Sequence, residues 1–95
     1  MEIQAEVVML DESEGGRKPP KLFNGYRPHI VIKPDELLGI IFKSVPEKVL
    51  SNQAVKVLLA PAYIDTVDYS AIKPGAKFQI VEGKRVVGNG HIIST

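Results

Sequence analysis

Apolar and polar residues alternate with a period of two through most of this chain. At the N-terminus Ile3, Ala5, Val7 and Met9 alternate with Glu2, Gln4 and Glu6, the pattern of a strand with one face in a core and one in water. The same criterion predicts strands over 26–33, 38–45 and 54–60, and a last pair over Lys77–Glu82 and Arg85–Ser94. Pro28 falls near the start of the second strand, where a missing N–H does least harm. Residues 34–36 supply a turn before the third, and Pro46 and Pro61 close the third and fourth.

The connections carry their own signals. Gly83-Lys84 separates the last two strands by two residues, with glycine in the first central position. That position has positive φ in a type II′ hairpin turn, and glycine adopts it without steric penalty. Residues 11–21 form a polar stretch in which Gly15-Gly16 permits a sharp turn and Pro19-Pro20 stiffens an extended path. Gly88-Asn89-Gly90 lies inside a strand and opens no helix, so it predicts a close backbone approach or a bulge. No segment has a convincing helical period. Six short strands without helices imply an antiparallel sheet that closes on itself or packs face to face, and for 95 residues a closed barrel is economical because it leaves no edge strand. The expected fold class is all-β, a six-stranded antiparallel barrel forming one domain over 1–95.

Composition narrows the function classes. The chain is 44% hydrophobic, too apolar for a solvated coil. It has no cysteine, which favours a reducing compartment. Its acidic start differs from the basic and then apolar start of a signal peptide, and its apolar runs are far shorter than the ~20 residues of a membrane-spanning helix. Cytoplasmic location without membrane association is therefore expected. Net charge is only +1, but its distribution is uneven. Residues 1–16 hold five acidic side chains and no basic one, whereas 17–33 hold Arg17, Lys18, Lys21, Arg27 and Lys33 and no acidic one. Such a sign change can set a positive face beside a negative one.

Catalytic chemistry finds little support. His29 and His91 lie inside predicted strands with no carboxylate or second histidine at metal-ligand spacing, and both read as structural. No serine stands in a Gly-X-Ser-X-Gly elbow. The acidic pairs Asp35-Glu36 and Asp65/Asp68 fall in turns. The phosphate loop Gly-X4-Gly-Lys-Ser/Thr is absent. No enzymatic activity, cofactor, metal or nucleotide is expected.

Three segments carry a family resemblance. Residues 14–20 read Glu-Gly-Gly-Arg-Lys-Pro-Pro, residues 23–28 read Phe-Asn-Gly-Tyr-Arg-Pro, and residues 82–90 read Glu-Gly-Lys-Arg-Val-Val-Gly-Asn-Gly. In this order they resemble the third, C-terminal domain of elongation factor Tu, whose pattern is Glu-Gly-Gly-Arg-His-Thr-Pro, then Gly-Tyr-Arg-Pro-Gln, then Glu-Gly-Gly-Arg-Thr-Val-Gly-Ala-Gly. The similarity runs from about Ile3 to Ile93 and implies a six-stranded antiparallel barrel. In the full-length factor that barrel packs beside a GTPase domain and a second barrel and helps grip the T stem of aminoacyl-tRNA. This chain is read as a stand-alone barrel without the GTPase domain, so GTP binding is not carried over.

The resemblance implies a partner-binding surface. Arg17 matches the arginine of the first motif, and Glu82 and Gly83 match the hairpin that approaches the RNA backbone. Lys18 stands where the family has histidine, His29 where it has glutamine, Leu38 in place of threonine and Ala60 in place of a lysine. The last two changes remove a donor and a charge from a phosphate-reading surface. The candidate binding residues are Arg17, Lys18, Arg27, His29, Glu82, Gly83, Lys84 and Arg85. The expected role is a protein-interaction module linked to translation, with structured, tRNA-like RNA as the alternative partner. Residues 61–75, longer than the corresponding family loop, carry Tyr63, Ile64, Val67 and Tyr69, which either cover a barrel end or face a partner.

Overall fold

The computed structural model describes residues 1–95. Its strands are β1 (Ile3–Met9), β2 (His29–Val31), β3 (Leu38–Ser44), β4 (Ala54–Pro61), β5 (Lys77–Glu82) and β6 (Arg85–Ser94). All pair antiparallel and close in the order β1-β4-β3-β2-β5-β6. The period-two pattern becomes the inside and outside of this barrel. Ile3, Ala5, Val7 and Met9 are fully buried together with Ile30, Leu38, Ile40, Phe42, Leu59, Ile80 and Val87. The expected all-β fold and six-stranded barrel are thus observed.

Strand boundaries follow the sequence except in β2, which was expected over 26–33 and spans three residues. Pro28 explains the late start. The flanking chain is already extended against β3, with Phe42 N–H donating to Tyr26 O and Ile40 N–H to Pro28 O. Proline has no N–H to return, so the ladder is interrupted there. At the other end the chain leaves β5 after Val31 and turns at Asp35, whose φ is +63°. The only helical element is a 3-10 turn at Glu12–Glu14; no helix is long and apolar enough to cross a membrane.

The glycines inside β6 bring strands close together. A Cβ on Gly88 would stand 2.8 Å from Val8 O, and one on Gly90 would stand 2.5 Å from Glu6 O. Both positions are therefore close approaches to β1, as their place inside a strand predicted. The β5–β6 turn has φ +61° at Gly83 alone of its two central residues, as a type II′ turn requires.

The long 61–75 connection divides. Tyr69 is buried, donating its hydroxyl to Gly39 O at 2.6 Å and accepting from Tyr63 N–H at 3.1 Å. Val67 and Ile72 also pack against the core. These side chains cover a barrel end. Tyr63 and Ile64 instead remain about half exposed, at 49% and 54%, with the Tyr63 ring lying against Gly39. Of the two roles open to it, Tyr69 takes the inward one, its hydroxyl adding a second donor to Gly39 O, which also accepts from Ala62 N–H.

Candidate functional site

The polar stretch after β1 folds through a local capping device. Asp11 accepts from Ser13 N–H, while the Glu14 carboxylate accepts from Asp11 N–H, a capping box around the 3-10 turn. Gly15 ends the turn in the left-handed region at φ +95°. Gly16 then lies flat against the preceding backbone, where a Cβ would meet Leu10 O at 2.0 Å. Lys21 is buried and its ammonium donates to the carbonyls of Leu10 and Arg17. It is the only buried charged side chain, and it joins the two ends of this loop. Hydrogen bonds from Ser13, and less strongly from Ser51, hold the Asp11 carboxyl down at about 2.

This scaffold presents Arg17 to the β5–β6 hairpin. The guanidinium lies 3.3 Å from a Glu82 oxygen and over the rings of Tyr26 and Phe23, at 4.5 and 5.3 Å from their centroids. Tyr26 stacks in turn on Phe42 of the core, with centroids 5.4 Å apart. Its hydroxyl donates to Glu82 at 2.7 Å, and Arg85 donates to the other Glu82 oxygen at 2.9 Å. Glu82 is therefore the hub of the cluster. Burial pushes its carboxyl up, but the Tyr26 and Arg85 hydrogen bonds and the two guanidinium charges together hold it below the usual carboxylate range. Burial chiefly, and then the bond to Glu82, push the Tyr26 phenol well above the usual tyrosine range.

The geometry sorts the eight candidate residues. Arg17, Lys18, Glu82 and Arg85 meet around one polar depression of about 490 Å³, which Glu12 also lines and no hydrophobic side chain enters. Gly83 and Lys84 face a different depression, shared with Asp35, Glu36 and Leu37. His29 sits half-buried in β2, paired with Gly39 and Val81. Arg27 is exposed and forms no ion pair or cation–ring contact, whereas Arg17 forms both. Acidic Glu12 lines the polar depression beside Arg17 and Lys18.

Sequence reasoning missed Asp11, Glu14 and Lys21 as parts of this site. The first two had a legible signal, an acidic residue followed three positions later by glutamate. Lys21 had none, since nothing in its neighbours tells a buried lysine from a solvated one.

The family model for the elongation factor Tu C-terminal domain matches residues 1–95. The chain belongs to that family. The Tu-type motif segments thus have a structural meaning in this barrel: Arg17 and Glu82 are paired across the barrel surface, and Tyr26 links that pair to the core. These contacts unite the three segments into one cluster.

Proposed function

We propose that this elongation factor Tu C-terminal-type barrel is a non-catalytic protein-interaction module, linked to translation through its family. The supporting observation is the use already made of its cations. Glu82 engages both Arg17 and Arg85, Arg17 is largely covered at 19% side-chain exposure, and Lys21 is turned inward onto backbone carbonyls. Of the cations around the polar depression, only Lys18 lacks an acidic partner. Binding to a nucleic-acid backbone draws its affinity from free cations that replace counterions, and this surface keeps few of them. Exposed Tyr63, Ile64 and Leu37 give the outside apolar groups suited to a protein partner.

Arg17→Ala separates the roles. As a structural residue Arg17 sets the thermal midpoint, so the variant melts several degrees lower while its association with bulk tRNA stays at wild-type level. A variant that melts like wild type but loses tRNA binding refutes this reading. Structured RNA is the second reading, favoured by one observation: Arg17, Lys18, Glu82 and Arg85 converge on one depression without hydrophobic lining.

A further inference from the structure

The outer surface formed by β1, β4 and the end of β6 shares no residue with the Arg17 cluster. Burial alternates along both β1 and β4. Gln4, Glu6 and Val8 of β1 and Lys56 and Leu58 of β4 therefore point outward, while Ala5, Val7, Val57 and Leu59 enter the core. The antiparallel register sets Gln4 beside Leu58, Glu6 beside Lys56 and Val8 beside Ala54. Leu58 and Ile93 line a depression of about 260 Å³ together with Gln4 and Ser44, and Ile93 is 38% exposed.

Glu6 and Lys56 stand directly opposite each other on adjacent strands, yet they form no ion pair. Lys56 is exposed and Glu6 half-buried, so a carboxylate and an ammonium lie side by side with their charges uncommitted. A partner carrying only one sign meets like charge at one of them. A surface holding both signs side by side is instead complementary to itself after half a turn. With a twofold axis running along the strands between β1 and β4, Glu6 of each copy comes opposite Lys56 of the other, and the four charges alternate in sign around the axis. The same rotation brings the two Leu58 side chains together across the axis. It also sets each of them over Gln4 of the other copy, next to its Ile93. A patch three strands wide at ~4.8 Å a strand and seven residues long at ~3.4 Å a residue covers a few hundred Å². That is the low end of specific interfaces, the range of a reversible association.

We propose that the chain associates weakly and reversibly with a second copy of itself through this face, as a twofold dimer with reciprocal Glu6–Lys56 ion pairs beside a contact of Leu58 and Ile93. The inference does not rest on the protein-binding reading above, because it uses no residue of the Arg17 cluster.

Sedimentation equilibrium of the full 95-residue chain, from low-micromolar to millimolar concentration, tests it. A monomer–dimer equilibrium is expected, with the dimer populated toward the upper end. Glu6→Lys alone and Lys56→Glu alone set like charges opposite one another, and each should weaken the dimer at least ~tenfold. An equimolar mixture of these two variants should regain the wild-type association, since every Lys of one then faces a Glu of the other. Leu58→Asp should abolish the dimer. All these positions point outward from the barrel, and matching melting curves check that the fold is kept. A chain that stays monomeric at every concentration overturns the inference and leaves the protein-binding reading standing. A dimer that survives Leu58→Asp overturns this face as its seat, and a mixture that fails to associate overturns the reciprocal ion pairs.

Discussion

At the scale of single residues, Glu82 joins three side chains of the cluster. It accepts from Tyr26 and Arg85 and pairs with Arg17, so Glu82→Ala leaves a phenol and two guanidinium groups without their acceptor. A loss of about 1–3 kcal/mol is expected from bonds of this charged kind, measurable by urea denaturation. The pH dependence follows from the same groups. Glu82 and Asp11 are both held below their ordinary values. Their contribution is present above the unfolded carboxylate range near pH ~4 and is lost as pH falls toward about 2. Tyr26 is shifted the other way. Its folded form resists ionisation, so stability falls as pH rises above the ordinary tyrosine value of ~10. Tyr26→Phe should flatten that alkaline fall, and Glu82→Gln the acid one; unchanged slopes in equilibrium unfolding would show that the cluster does not couple to folding. Arg17 and Arg27 show the limit of sequence at this scale. Both stand in recognisable Tu-type motifs, yet only Arg17 is drawn onto the Tyr26 ring, and that choice depends on a fold-back set by Gly16 and Lys21.

Among the elements, the strands were legible because burial on one side imposes period two, and the β5–β6 hairpin because its turn demands glycine. The short β2 was overestimated because its hydrophobic pattern continues while Pro28 removes a ladder donor. The 3-10 turn escaped notice because three residues are too few to show a period. Loop 61–75 was legible only as a choice between two roles; the Tyr69 hydroxyl reaches Gly39, thirty residues away in sequence, while Tyr63 and Ile64 stay about half exposed. Tyr69→Phe removes the donor to Gly39 and the acceptor for Tyr63 N–H. A loss of about 1–2 kcal/mol and faster hydrogen exchange at the Tyr63 amide are expected, and unchanged exchange would detach the loop from the barrel end. Gly90→Ala forces a methyl group against Glu6 O of β1. Overpacking of this kind costs about 1–3 kcal/mol, a drop in thermal midpoint on the order of 10 °C for a chain of this size. A midpoint within a degree of wild type would mean that β1 and β6 can part without loss.

Over the whole molecule, closure depends on pairing the first strand with the last, β1 with β6, and on the Arg17 cluster fastening the loop after β1 to the β5–β6 hairpin. The family motifs announced the barrel correctly because they are built into this fastening. What the sequence does not carry is the pairing of its charges: of five cations between 17 and 33, Lys21 is buried and Arg17 is covered by aromatic rings. The outer surface is left charge-balanced, with apolar Leu37, Tyr63 and Ile64 exposed. Association with bulk tRNA, measured at low and at near-physiological salt, tests this most directly. Weak binding at low salt that vanishes at near-physiological salt, unaltered by Arg17→Ala, is the expected result. Tight, saturable binding that persists at near-physiological salt and is lost on Arg17→Ala would contradict it.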